Sequence, residues 1–115
     1  MPITVAYSIG MPVLSPSDVL NRLSLRNFFV FDTNPQHVFL HHRVPGAIRL
    51  DPADFTESKL PRDEEAALLF YSSGPLCGKC THAARRAIRM GYNRVYVMTA
   101  GITGWIKEGC PVEKG

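Results

Sequence analysis

The sequence predicts one α/β domain, in which a parallel β-sheet is covered by helices on both faces. Short apolar segments alternate with segments of helical character along 115 residues, and this alternation is typical of parallel sheets. The length is sufficient for one hydrophobic core and too small for two ordinary domains. Hydrophobic residues make up 45% of the chain and charged residues 20%, as in globular proteins.

The first predicted element is a helix in the segment "VLSPSDVLNRL". Ser15 is expected to cap this helix, Pro16 suits its first position, and Asp18 completes a capping box. The predicted buried face consists of Val19, Leu20 and Leu23.

Two strands are predicted next. The segment "NFFVFDT" is a short apolar run that delivers Asp32 to a loop, and "VPGAIRL" combines a Pro-Gly turn with a second short strand. The segment "DPADF" is expected to begin a brief helical turn.

The strongest predicted strand lies in "EEAALLFYS", from Ala66 to Tyr71. A loop then leads into a helix in "THAARRAIRMGY", which Gly91 is expected to end. The predicted inward stripe of that helix consists of Ala83, Ala84, Ala87 and Ile88. The segment "RVYVM" predicts the last strand, and "GITGWIKEG" a final short helix.

Composition narrows the class of protein. The formal charge is only +3 and neither sign forms a long run, so nucleic acid is not an expected partner. No segment approaches the ~20 apolar residues needed to cross a bilayer, and the first residues lack a basic start. Three cysteines do not make a disulfide framework. We therefore expect a soluble, cytoplasmic protein with reduced thiols.

The loop that follows Tyr71 is the predicted functional site. Ligands of parallel sheets bind beyond the carboxyl ends of the strands, and a helix that starts after such a loop adds the positive end of its dipole. Gly74 and Gly78 are expected to take positive φ, with Pro75 stiffening the turn. The loop is longer than the ~2 to 6 residues of most such connections. The backbone predicted to hold an anion belongs to Ser73, Gly74, Pro75, Leu76, Gly78 and Lys79.

Two cysteines occur in this loop region with CxxC spacing, Cys77 and Cys80. That spacing at a helix N-terminus lowers the pKa of a thiol. The pair could bind metal, cycle between dithiol and disulfide, or carry sulfur as a persulfide. A zinc site needs ~4 ligands and no second pair is evident, whereas Cys80 could also be simply a small buried residue.

Other polar residues permit less specific interpretations. Asp32, a single carboxylate at a strand end, fits a loop-supporting role better than acid–base catalysis. A possible metal cluster, or simply an exposed surface, is formed by His37, His41 and His42. A solvated helix face that could attract an acidic partner is formed by Arg85, Arg86 and Arg89.

Several segments together resemble the single-domain rhodanese family of sulfurtransferases. These are "FVFDTN", "HRVPGAIRL", and the run from "FYSSGPLCGKC" to "GITGWIKEGCPVE". The resemblance extends from Val13 to Glu113, so we predict an N-terminal extension over residues 1–12 and a rhodanese-like domain over residues 13–115.

The resemblance implies a five-stranded parallel sheet and an active loop whose backbone amides hold a persulfide. In the family, a thiolate takes sulfur from a donor such as thiosulfate and passes it to a thiol or cyanide. It implies no metal or organic cofactor. The implied partners are a small sulfur-containing anion such as thiosulfate, or a persulfide or thiol carrier protein.

The chain departs from the family pattern at the loop. Ser72 stands where the nucleophilic cysteine is expected, as a natural residue or an engineered one. The loop resembles the pattern "YCxGPxCxxSxxAA", with Cys77 at the second cysteine and Cys80 in place of the serine. Arg43 occupies the place of the usual histidine.

Three functional hypotheses follow from these departures. The first is a sulfurtransferase in which Cys77, or with weaker support Cys80, serves as the surrogate thiol. The second is a catalytically silent binding module built on the same fold. The third is a small dithiol redox protein that uses Cys77 and Cys80.

Overall fold

The computed structural model describes residues 11–75 and 78–115. In chain order the elements are α1 (Pro16–Arg22), β1 (Phe28–Asp32), α2 (Gln36–His41), β2 (Ile48–Arg49), a 3₁₀ helix (Glu57–Lys59), β3 (Ala67–Tyr71), α3 (Lys79–Arg89), β4 (Arg94–Met98) and α4 (Gly101–Lys107). No helix within those ranges is both long and apolar enough to span a lipid bilayer.

The strands form a parallel sheet in the order β2-β1-β3-β4. The expected fifth strand is not among the described elements. Its position next to β4 is held by one parallel bridge, between Val13 and Val97. Pro12 has no N–H to donate, and Ser15 already caps α1 two residues beyond Val13. The edge therefore carries a single bridge rather than a ladder.

Alternating strand residues fill two cores, one on each face of the sheet. Phe31, Phe70 and Val97 face α3, whose small Ala83 and Ala87 allow the helix to lie close to the strands. The opposite face packs against α1 and α4 through Val30, Leu69, Tyr71, Met98, Val19 and Trp105. Helices therefore cover both faces, as the sequence predicts.

Two of the predicted buried helix positions are wrong. Ser15 and Asp18 do form the capping box of α1, but Leu20 is 39% exposed and only Val19 is fully buried. In α3, Ile88 is 43% exposed beside the buried Ala87. Adjacent residues on a helix point about 100° apart. These short helices touch the sheet along a stripe too narrow to include both neighbours.

Arg86 does not belong to a solvated face. Its Nη2 donates to the carbonyl oxygen of Phe55 at 2.7 Å, and its guanidinium lies 4.9 Å from the centre of the Phe55 ring. The segment it anchors, "DPADF", forms a turn with Asp54 N donating to Asp51 O rather than a helix. The short 3₁₀ helix follows it. Arg86 is therefore a structural tie between α3 and this turn.

Candidate functional site

The candidate site lies at the carboxyl edge of the sheet, where β3 ends and the loop before α3 begins. Asp32, Tyr71 and Met98 end their strands in register with one another. Ser72 follows Tyr71 directly, and α3 starts at Lys79. Leu76 and Cys77 lie outside the described residues, so the roles expected of them stay predictions.

The N-terminus of α4 holds the first part of the loop in place. Ile102 N donates to Ser72 O at 2.9 Å, and Thr103 N donates to Ser73 O at 3.0 Å. The first N–H groups of a helix have no partner within the helix. Two of them are therefore satisfied by loop carbonyls, which fixes the loop backbone against α4.

Gly101 makes this close approach possible. Its φ is +65°, and a Cβ at this position would lie 2.5 Å from Ser73 C and 2.6 Å from Gly74 N. The sequence places the special backbone conformations at Gly74 and Gly78, and this is wrong: neither has positive φ, and Gly78 has a φ of −89°. The positive φ occurs instead at Gly101, the first residue of α4, which lies against the loop backbone.

Ser72 is buried at the base of the loop. It is 1% exposed, and its Oγ finds no hydrogen-bond partner among the described residues. The next side chain, Ser73, is exposed, but its Oγ donates to Oδ1 of Asn34 at 2.7 Å. The position expected to carry the nucleophile is therefore buried, and the serine that follows it is hydrogen-bonded to Asn34, just after β1.

Asp32 and Tyr71 form a buried pair below the loop. The Tyr71 hydroxyl donates to Asp32 Oδ2 at 2.5 Å and accepts from Val44 N at 3.1 Å. Asp32 Oδ1 accepts from Asn34 N at 2.7 Å. Burial raises the pKa of Asp32, and these hydrogen bonds oppose the rise. Burial and the nearby carboxylate raise the pKa of Tyr71. The pair ties β1, β3 and the segment before β2 together at the point where the loop starts.

Asn34 and Arg49 also lie at the candidate site, although neither was predicted from the sequence to belong to it. Asn34 is 1% exposed, its Nδ2 has no partner among the described residues, and its carbonyl accepts from Arg49 Nε at 2.9 Å. A signal was available for Asn34, which follows a predicted buried strand by two residues. The sequence alone did not show that Arg49 lies at the same edge.

The cysteines have distinct environments. Cys80, in the first turn of α3, is 2% exposed and packs in the core with Ala83 and Ala84. Cys110 lies on the opposite face of the sheet, beside Trp105. Burial and then Glu108 raise the pKa of the Cys110 thiol. Cys110 is therefore a poor thiolate.

The remaining sequence candidates lie away from the loop. His37 and His41 are exposed on α2, and within the described ranges no group of three or more metal-binding side chains occurs. Arg43 forms an ion pair with the C-terminal segment, and its Nε lies 3.4 Å from Glu113 Oε1. The backbone groups of Arg43 and Glu113 also exchange hydrogen bonds.

This arrangement is suited to holding a small anion next to a reactive group. Within the described ranges, Ser73 N and Gly74 N donate to no protein acceptor, and the 11-residue helix α3 begins at the loop. Backbone N–H groups and a helix N-terminus stabilise negative charge. The carbonyls of residues 72 and 73, by contrast, accept hydrogen bonds from α4.

Comparison with known proteins identifies the fold. A protein of Bacillus halodurans, BH2092, superimposes with a TM-score of 0.83 at 24% identity, over 93% of this chain and 80% of that one. A thiosulfate sulfurtransferase of Pseudomonas aeruginosa gives 0.79 at 18% identity, over 91% of this chain and 20% of that protein.

The 3-mercaptopyruvate sulfotransferase SseA of Escherichia coli gives a TM-score of 0.75 at 17% identity, over 91% of this chain and 52% of SseA. At such low identities these structures show a shared fold, the α/β rhodanese fold. No curated protein sequence matches the chain. The family model of the rhodanese-like domain matches residues 15–108, and the chain therefore belongs to the rhodanese-like domain family.

Proposed function

We propose that this domain is a rhodanese-type sulfurtransferase that moves sulfane sulfur from thiosulfate or a persulfide donor to a thiol or cyanide. In the chain as it stands, Cys77 is the thiol that carries the sulfur, because Ser72 occupies the nucleophile position. The observation that carries the proposal is the loop after β3. It is fixed by α4 and placed over the buried Asp32–Tyr71 pair.

The reaction consists of two balanced displacements. A cysteine thiolate attacks the outer sulfur of thiosulfate; the new S–S bond forms as the S–S bond of thiosulfate breaks, and sulfite leaves with the electron pair. Cyanide then attacks the outer sulfur of the protein persulfide, giving thiocyanate and regenerating the thiolate. Loop N–H groups and the start of α3 stabilise the negative charge of the persulfide.

The choice of thiol follows from chemistry and burial. A serine hydroxyl cannot carry a transferable sulfur, and its pKa is far too high for it to ionise unaided. Cys80 packs in the hydrophobic core with Ala83 and Ala84, and the raised pKa of Cys110 disfavours its thiolate. Cys77 is the remaining cysteine.

A second candidate function is a silent module that binds an anion or a protein partner through the same loop. The observation that favours it is the buried Ser72 side chain. The lower part of the site is intact, but the family's nucleophile position carries a hydroxyl instead of a thiol.

Mass spectrometry separates the two functions. The reduced chain is incubated with thiosulfate, its intact mass is recorded, and cyanide is then added. We expect one added sulfur that cyanide removes, absent in Cys77→Ser and retained in the control Cys110→Ser. Unchanged mass in the parent chain would instead support the silent module. Sulfur retained in Cys77→Ser would refute the role of Cys77.

A further inference from the structure

Arg49 lies at the same edge of the sheet as the loop. It ends β2 in register with Asp32 of β1, which in turn is in register with Tyr71 of β3. Neighbouring strands lie about 4.8 Å apart, so roughly 10 Å separates the Arg49 and Tyr71 backbones. Registered residues of neighbouring strands project from the same face, and Arg49 Nε reaches Asn34 O, two residues beyond the end of β1.

The guanidinium of Arg49 is held but not neutralised. Its Nε donates to Asn34 O at 2.9 Å, and its side chain is exposed. Within the described ranges the one ion pair joins Arg43 and Glu113, so Arg49 has no carboxylate within 4.0 Å there. Among residues 11–75 and 78–115, neither Nη atom of Arg49 has a hydrogen-bond or ion-pair partner, so both are available to a ligand there.

Two other arginines, Arg86 and Arg43, are committed to structural contacts. Arg86 donates from both Nη atoms to the carbonyls of Ala53 and Phe55. Arg43 pairs with Glu113 and lies over the Phe39 ring. Arg49 differs from these two because its side chain is bound to the described residues through Nε alone, which fixes its direction and leaves both Nη atoms without a partner there.

The same residue that fixes Arg49 also holds the loop. Asn34 accepts from Arg49 through its carbonyl and from Ser73 through Oδ1 at 2.7 Å. Asn34 is 1% exposed, so this connection has little freedom. The charge of Arg49 also reaches the buried Asp32, where it opposes the rise in the pKa of that carboxyl.

We propose that Arg49 is a specificity residue that binds the anionic group of the sulfur donor or acceptor, a sulfonate or carboxylate carried next to the transferable sulfur. A planar guanidinium with two free Nη groups matches such oxyanions with paired hydrogen bonds. The inference rests on the proposed sulfurtransferase function, since it names the substrate feature that this site selects.

The test measures binding of thiosulfate itself by NMR titration of the reduced chain, with persulfide formation followed separately by mass. Arg49→Gln removes the charge, and Arg49→Lys keeps the charge but loses the two-pronged geometry. Arg94→Gln is the matched control, because Arg94 is also exposed but begins β4 at the opposite edge. Thermal melting verifies that each variant is folded.

We expect Arg49→Gln to weaken thiosulfate binding about tenfold, the size of one lost charge-assisted hydrogen bond of about 1.4 kcal/mol. Arg49→Lys should bind thiosulfate more weakly than the parent chain and more tightly than Arg49→Gln. Arg94→Gln should bind thiosulfate as tightly as the parent chain does. Equal weakening in Arg49→Gln and Arg94→Gln, or none in Arg49→Gln, would overturn the role of Arg49, as would a parent chain that binds no thiosulfate.

The two proposals fail in different ways. Thiosulfate that binds through Arg49 without leaving sulfur on the protein refutes the transfer reaction and keeps the anion site. Sulfur that loads equally fast with and without the Arg49 guanidinium keeps the transfer reaction and refutes the specificity role.

Discussion

The two ends of the same strands are built differently. At the carboxyl end the chain buries a set of polar side chains, those of Asp32, Thr33, Asn34 and Ser72. At the amino end, Phe28 and Ala67 are only partly buried, Arg94 is exposed, and an open cavity of about 150 Å³ is lined by Arg22, Leu25, Asn27, Phe28, Ala67, Arg94 and Tyr96.

The carboxyl end of the sheet contains buried polar groups whose burial is unfavourable and which folding alone does not require. Burying a polar group is unfavourable unless it is hydrogen-bonded, and Ser72 Oγ and Asn34 Nδ2 have no partner among the described residues. At the amino end, strand pairing is completed with side chains that stay in contact with water. These buried polar groups support the proposal that the carboxyl end of the sheet binds the substrate.

The contact between the loop and α4 gives the largest expected effect. Gly101→Ala should destabilise the fold by roughly 3 to 5 kcal/mol, because positive φ and overlap with the loop backbone add together. Gly109→Ala is the control: its φ is +79°, but a Cβ there meets nothing within 4 Å. It should cost only about 1 to 2 kcal/mol. Urea unfolding measures both, and equal losses would show that the close approach to the loop is unimportant.

Two tyrosines sharpen the comparison between the ends. Tyr71→Phe leaves Asp32 Oδ2 without its donor and Val44 N without its acceptor, so we expect a loss of about 2 to 3 kcal/mol. Tyr96→Phe, at the amino-end cavity, should change the free energy of unfolding by less than about 0.5 kcal/mol. Thermal unfolding of both variants tests this. A similar small change in both would mean that the buried pair contributes little.

The smallest expected effect is a pH dependence from Asp32. Burial raises its pKa above the ordinary 3.8, so the folded state holds this proton to higher pH than the unfolded chain does. The stabilisation is complete below that ordinary value and is lost as pH rises through the raised pKa. Unfolding of Asp32→Asn, followed from about pH 4 to pH 7, should lack this decline.

Asp18 gives the matched control for the sign of this effect. Hydrogen bonds from Ser15 lower the pKa of Asp18, so its contribution is present above 3.8 and is lost as pH falls. Asp18→Asn should therefore change the pH profile in the opposite direction to Asp32→Asn. A profile of Asp32→Asn identical to that of the parent would contradict a raised pKa for Asp32.

The sequence was informative wherever local patterns decide structure. The cap at Ser15, the strands that end in Asp32 and Tyr71, and the Gly91 helix end all follow from short-range rules of capping, apolar runs and backbone freedom. The position of the site was also accessible, because parallel strands place their carboxyl ends at one edge of the sheet.

What remained out of reach depends on contacts between distant segments. Gly101 requires its special φ because the Ser73 backbone lies against it, and no local pattern marks that neighbour. Arg49 reaches Asn34 across 15 positions of sequence. The predicted burial of Leu20 and Ile88 is wrong because the width of each buried helix stripe depends on how closely the helix lies on the sheet.

Placing a thiol at residue 72 tests most directly whether this edge of the sheet transfers sulfur. The Ser72→Cys chain is made in a Cys77→Ser background, reduced, and incubated with thiosulfate, and its intact mass is recorded before and after cyanide. We expect one added sulfur on residue 72 that cyanide removes, because α4, Asn34 and the Asp32–Tyr71 pair already hold the loop. A correctly folded Ser72→Cys chain that takes up no sulfur would contradict the view that this edge of the sheet is a sulfur-transfer site.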